Sequence, residues 1–494
     1  MELRAGKADR QRYCSPEEFF VTRVARLTEY LSTRVGQNPL LRRLLGGAGV
    51  AMATQVGGHI LKLLSFVCLA RWSTKEEDVG IYASAWNMML ILSTFSAVGL
   101  KTTSLRFLPH YLEKSEWPLI RGFIRRSYVA MSFAGLILAI VGTVALPWLN
   151  TLPQFEMSPA TIQAYLITLW IVPFWSFADV GSHIIRSTQH IFHAFGPVNL
   201  LQPIVLISGC GVVVVLWGQL NASQIMYVVA VSVVLILAYQ EVAIRKLFPG
   251  EVWQAEPAYD GVEWRRVGIP LFWISLFIIV NGNADVVLLN VLGQDPDPAL
   301  QLTAGTAQLN KEAESGIYAA ATRVARLSAF LLMTLNAIVA PLISQTYARQ
   351  EHDNLTRICR YAITLAFWPS FGLALIVVLF GVPILELFRP GFGVGYWPMV
   401  IVAVGQLVNA LTGPVGLLLS LCGHQKASVR VYGVSMVLFL VLNMLLIPRA
   451  GMYGAAIANG IVLVITNIWL AVLVYREMKI VPLPYLRFSL KKPI

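Results

Sequence analysis

The sequence predicts an all-α polytopic membrane protein of about 12 transmembrane helices, arranged as two six-helix lobes related by a pseudo-twofold axis. Three observations predict it. The 494 residues are 56% hydrophobic and only 13% charged, with a mean hydropathy of +0.66, more apolar surface than one soluble core could hide. Predominantly apolar runs of membrane-crossing length recur along the chain. One long stretch of sequence is written twice.

The duplication begins at Gly80-Ile81-Tyr82-Ala83, which returns 236 residues later as Gly316-Ile317-Tyr318-Ala319. The offset holds without a gap through Ala85 and Ala321, Tyr111 and Tyr347, Leu119 and Leu355, and Arg121 and Arg357. A period this long, opening on a membrane-length helix in each copy, describes two copies of a multi-helix lobe. Hydrogen-bond accounting in lipid permits helices or closed barrels, and these runs lack the alternation of barrel strands.

Spans are expected near 48–70, 80–104, 126–148, 161–182, 197–218, 223–243, 267–292, 316–341, 360–383, 396–421, 430–448 and 453–475. Residues 1–45 then form a cytoplasmic segment, 46–243 the N-lobe, 244–266 a cytoplasmic linker, 267–475 the C-lobe and 476–494 a cytoplasmic tail. With the N-terminus inside, cytoplasmic segments and the helix mouths opening on them hold 29 Lys and Arg, against five in outer loops. That asymmetry is the positive-inside rule and places both termini in the cytoplasm. It accounts for the net charge of +12 without a nucleic-acid partner.

In the first segment, Ser15-Pro16-Glu17-Glu18 reads as a capping box ahead of Phe20, Val24, Leu27 and Leu31 at helical spacing. This predicts an amphipathic helix on anionic membrane lipids. The charged stretch before the first span lacks the form of a cleavable signal peptide and is expected to be retained. The five cysteines, Cys14, Cys68, Cys210, Cys359 and Cys422, show neither disulfide nor metal spacing. The longest outer loop, 293–315, carries Asp295, Asp297, Lys311, Glu312 and Glu314 and is too short for a catalytic domain. Pro173, Pro203, Pro369 and the Gly413-Pro414-Val415-Gly416 break mark bends where backbone lines a cavity or packs on neighbours.

Polar residues inside the spans are the candidate site. Gln55, His59 and Lys62 form one stripe on the first helix, and Asn87, Thr94 and Lys101 another on the second. A charge at a helix centre costs roughly 2.5–3.5 kcal/mol on insertion scales and so faces a partner or a wet cavity. Lys62 is deep enough to be expected in a cavity, whereas Lys101 is close enough to the cytoplasmic end to snorkel. In the seventh and eighth spans, Asn281 and Asp285 face Arg323 and Arg326. Similar depth predicts an Asp285–Arg323 ion pair, leaving Arg326 as the freer ligand. Asp179, His183, Arg186, His190 and His193 gather near one face of the fourth helix, but no metal site is assigned. Asp285, Asn281, Asp179 and His59 are candidate positions for proton or sodium coupling; no other cofactor is expected. Spans 1, 2, 7 and 8 together hold Lys62, Lys101, Arg323 and Arg326 against Asp285, a positive bias suited to an anionic substrate between rocking lobes.

A family resemblance rests on Leu69-Ala70-Arg71, Asp78-Val79-Gly80-Ile81-Tyr82, Gly99-Leu100 and Arg106-Phe107-Leu108-Pro109. It continues through Gly423-His424-Gln425-Lys426, Leu442-Asn443, Ile447-Pro448 and Gly454-Ala455-Ala456-Ile457-Ala458. In order and spacing these resemble Wzx-type polysaccharide and O-antigen flippases of the multidrug/oligosaccharidyl-lipid/polysaccharide exporter superfamily, over residues 46–480. The resemblance implies translocation of a polyprenyl-diphosphate-linked oligosaccharide from inner to outer leaflet. A basic cavity would accept diphosphate and sugars while the tail stays in lipid, and polysaccharide assembly enzymes would act next. The 293–315 loop and the 45-residue prelude depart from the pattern.

Rival readings have discriminating features. Cation-extruding drug exporters of the superfamily commonly use acidic cavity groups, which the first span lacks. Lipid II flippases usually carry more than twelve spans. A membrane enzyme of polysaccharide assembly would need a soluble domain or a large catalytic loop, and no nucleophile elbow, GxGxxG, CxxC or HExxH is present.

Overall fold

The structure, a computed structural model, describes residues 39–153, 155–294 and 309–484. The expected N-terminal amphipathic helix, Cys14, Asp295 and Asp297 lie outside these residues. The chain divides after Ala51. Of the first unit only the start of helix α1 (Pro39–Trp72) is described; the second unit holds the rest of α1 and all the later helices.

The N-lobe continues with α2 (Glu76–Ala97), α3 (Leu100–Glu113), α4 (Trp117–Leu149), α5 (Pro159–Ser187), α6 (Ile191–Gly196), a π turn at Pro197–Leu201, α7 (Gln202–Trp217) and α8 (Ala222–Leu247). After a short α9 (Gly250–Gln254), the C-lobe contains α10 (Gly261–Leu292), α11 (Lys311–Arg326), α12 (Phe330–Ala348), α13 (His352–Glu386), α14 (Tyr396–Thr412), α15 (Val415–Leu421) and α16 (Gln425–Met478). Several starts are capped by side chains that satisfy orphan amides. Ser158 accepts from Thr161, Asn310 accepts from Ala313, and Asn221 and Gln224 form a reciprocal box. The side chains of Phe133, Val144 and Trp148 on α4, and of Val215 and Trp217 on α7, are largely exposed, as a lipid-facing surface requires.

Among the described residues, ten stretches are long and apolar enough to cross a membrane. The longest, α16, has 54 residues, which as a straight rod would measure about 80 Å, far beyond a hydrocarbon core of about 30 Å. It folds back instead. Thr466 donates to Ser435 at 2.7 Å, a bond that a straight helix would forbid, and the reversal is at Gly451 with φ +50°. A Cβ at Gly454 would fall 2.3 Å from the Leu446 carbonyl oxygen, so the hairpin is tight. This resolves the long helix into the two expected spans. The remaining crossing is α11 with α12, interrupted by a 3-10 turn at Leu327–Ala329. It differs from the continuous eighth span expected at 316–341. The second span also breaks, at the left-handed pair Val98 and Gly99. There α10 approaches so closely that a Cβ on Gly99 would lie 2.2 Å from the Gly268 carbonyl oxygen. The expected break at Gly413 is present, with φ +69°.

The segment between the lobes is a built structure rather than a bare tether. Arg121 donates to the Ala255 carbonyl at 2.6 Å, Ala258 N–H to Pro118 at 2.9 Å, and the Trp264 indole to Tyr111 at 3.0 Å. These bonds dock residues 255–264 on α3 and the start of α4.

The repeated motif is where the two lobes meet. Helix α2 packs on α11 with Gly80 opposite Gly316. A Cβ on Gly80 would fall 1.7 Å from the Glu312 carbonyl oxygen, and one on Gly316 would fall 2.8 Å from Gly80 N. Glycine is required for that approach. The contact lies at the end of the molecule bearing the loops at 73–75 and 387–395, termed the upper end. Two arginines tie the lobes there. Arg71 donates to the Leu387 carbonyl at 2.7 Å; Arg389 donates to Ser73 at 2.8 Å and Ala70 at 3.3 Å and pairs with Glu76 at 3.6 Å.

Candidate functional site

Below this seal, a cavity of about 520 Å³ separates the lobes, within the range of small-molecule sites. Helix α1 supplies His59 and Lys62; α11 supplies Arg323 and Arg326; Gln406 and Asn409 come from α14 and Asn467 from α16.

The cations differ in how they are held. Lys62 donates to the Asn199 side-chain oxygen at 2.8 Å. Asn199 lies in the π turn, and α1 reaches it only because residue 58 is glycine, where a Cβ would be 2.6 Å from the Asn199 Cβ. Arg323 lies over the Phe66 ring at 3.7 Å, a cation–π contact that orients the guanidinium without neutralising it, and donates to the Ala319 carbonyl at 3.3 Å. Among the described residues, neither Lys62 nor Arg323 forms an ion pair with a carboxylate. The His59 ring bonds the Gln55 carbonyl at 2.8 Å.

Arg326 is the one that faces Asp285, at 3.9 Å, and about a third of its side chain remains exposed. That reverses the expected pairing with Arg323. The Asp285 carboxylate is fully buried and is held mainly by Tyr318, which donates at 2.9 Å, and Asn459, at 2.8 Å. A distance of 3.9 Å exceeds the 2.7–2.9 Å of a charge-assisted bond, so Arg326 keeps charge to offer the cavity. Tyr318 and Asn459 hold the carboxylate from α11 and α16. Nothing in the sequence marked Asn459 for the task, since it comes from a helix 174 residues away.

Lys101 does not snorkel. It pairs with Asp179 of α5 inside the N-lobe, 3.5 Å from Thr94, a partner that one helix read alone does not show. The His183 ring bonds the Asp179 carbonyl at 2.9 Å. His190 and His193 turn instead to Thr188 and Tyr239. Among the described residues no three His, Cys, Asp or Glu converge on a metal-sized site. Gln55 and Asn87 are off the cavity wall, Asn87 being buried. Asn281 lines a smaller space in the C-lobe that joins the cavity at Arg326.

A family model described as polysaccharide biosynthesis protein matches residues 44–347, well over half of the chain, including the first copy of the repeat and the start of the second. The chain belongs to the polysaccharide biosynthesis protein family. A second model, MatE, matches residues 306–445. No curated protein matches the sequence. Solved structures share its fold at low identity. An inward-facing multidrug resistance MATE family transporter is 14% identical with a TM-score of 0.66, covering 87% of this chain and 98% of that one. The lipid II flippase MurJ in an inward closed conformation is 13% identical with a TM-score of 0.64, covering 86% and 87%. A superfamily transporter from Pyrococcus furiosus, whose binding pocket is described as having reverse polarity, is 14% identical with a TM-score of 0.62, covering 88% and 95%.

Proposed function

We propose that this multi-pass membrane protein flips a polyprenyl-diphosphate-linked oligosaccharide from the inner to the outer leaflet of a bacterial inner membrane, with both termini in the cytoplasm, for cell-surface polysaccharide assembly. The observation that carries the reading is the pair of cavity cations, Lys62 and Arg323, neither of which forms an ion pair with a described carboxylate. An anion entering between the lobes restores the balance, and a diphosphate has the charge and acceptor oxygens for it. The polyprenyl tail stays in membrane lipid, and the lobes alternate access around the cavity. In this reading the cavity lies on the cytoplasmic side of the Gly80–Gly316 crossing. We assign Asp179 and Asp285, the candidate coupling carboxylates, a structural role, since each is bonded by neighbours.

Hydrogen bonds to charged groups contribute about 1.5–3 kcal/mol each, so Lys62→Ala or Arg323→Ala should weaken substrate binding by roughly tenfold or more. The test is the fate of lipid-linked oligosaccharide in cells lacking the protein. Accumulation on the cytoplasmic leaflet, rescued by the natural protein and not by normally abundant Lys62→Ala or Arg323→Ala, supports the reading. If those intermediates stay level while cells become sensitive to cationic dyes, the protein is a drug exporter of the same superfamily.

A further inference from the structure

Past Arg326 a second space of about 260 Å³ opens inside the C-lobe, continuous with the main cavity through shared wall residues. Its neutral polar lining is Asn281 on α10, Gln406 and Asn409 on α14, and Asn459, Thr466 and Asn467 on α16, with the Tyr432 ring beside them. Five carboxamides thus converge from three helices. Among the described residues, the only charged one in the lining is Arg326, at its mouth; Asp285 lies behind Asn459 and is already bonded.

A carboxamide donates and accepts at once, so a carboxamide cluster suits a neutral ligand rich in hydroxyls rather than an ion. Asn281 sharpens the match. Its side-chain oxygen is buried and receives no hydrogen bond from the described residues, and an unsatisfied buried acceptor is costly. A ligand hydroxyl would satisfy it. The volume corresponds to about eight or nine waters, the scale of one sugar ring rather than a whole oligosaccharide.

We propose that this annex is a monosaccharide subsite that holds the sugar next to the diphosphate while Arg326, Arg323 and Lys62 hold the diphosphate itself. The subsite rests on the flippase reading. It makes recognition two-part, with charge read between the lobes and hydroxyls read inside the C-lobe. Two variants disturb the annex differently. Asn281→Leu removes the orphan oxygen. Gly282→Leu fills the space and has room to do so, since a Cβ there meets nothing within 4 Å.

The experiment measures binding of two probes to the full-length protein in nanodiscs: polyprenyl diphosphate without sugar, and the same lipid carrying one hexose. The expected result is tighter binding of the glycosylated probe by about tenfold, lost in both variants while binding of the bare diphosphate persists and reports an intact fold. Equal affinity for the two probes in the natural protein, or a sugar preference that survives both variants, overturns the annex and leaves the flippase reading standing. Failure of the natural protein to bind either probe overturns both.

Discussion

Substituting Gly80 by alanine should tilt the conformational balance of the protein, because the added methyl has no room while the upper end is closed. The Cβ would lie 1.7 Å from the Glu312 carbonyl oxygen and 2.5 Å from the Ser315 hydroxyl. Ordinary carbon–oxygen contacts begin near 3.3 Å, so α2 and α11 must part by about 1.5 Å. Overpacking of this kind costs about 1–3 kcal/mol, and a 2 kcal/mol penalty on one state alone shifts a two-state balance about 30-fold toward the other. The assay is a spin-label distance between positions 221 and 397, exposed residues on the upper ends of the two lobes, in a cysteine-free background. Gly80→Ala should lengthen it. Gly372→Ala, where a Cβ meets nothing within 4 Å, should leave it alone. An unchanged distance in folded Gly80→Ala protein would refute the claim that the repeat forms the closing contact.

Arg389→Ala removes two bonds to N-lobe carbonyls and the pair with Glu76, and should lengthen the same distance more than Arg71→Ala, which removes one bond. Equal distances in the two variants would remove the special role of Arg389. Lys101→Met leaves Asp179 unneutralised and should cost about 3 kcal/mol, most of it recovered when Asp179→Leu is added; additive losses in thermal unfolding would show the pair to be uncoupled. Asp285→Leu strands the Tyr318 hydroxyl and the Asn459 amide, at about 1–3 kcal/mol each, whereas Asp285→Asn keeps an acceptor and should lose less. Identical melting of the two variants would contradict that bonding scheme.

Much of the architecture was legible because it follows from local composition and a repeat. Apolar length exposed the spans, and the Gly413-Pro414 break marked one place where the structure turns; the Gly451 turn falls in the gap between the last two expected spans. The duplicated Gly-Ile-Tyr-Ala announced two lobes, though not that its glycines touch. The site was legible only to the nearest turn. Arg323 and Arg326 are one turn apart, and depth along antiparallel helices cannot choose between them. Tyr318 and Asn459 make that choice, and they come from different helices. Lys101 was misassigned for the same reason: snorkelling is a property of one helix, while its Asp179 partner is a property of packing. The Arg71 and Arg389 ties use backbone carbonyls, which leave no mark in a sequence. The C-lobe carboxamides are scattered over 187 residues, from Asn281 to Asn467, with no spacing to betray their convergence.

Lipid flipping through a cationic cavity is tested most directly by transbilayer movement in proteoliposomes. Purified protein is reconstituted with a polyprenyl-diphosphate oligosaccharide confined to one leaflet, and appearance of its sugar on the other is followed with a membrane-impermeant glycosidase. Movement should require the protein and fall at least tenfold in the Lys62→Ala, Arg323→Ala double variant. Movement that is independent of the protein, or undiminished in a folded double variant, would contradict the flippase reading.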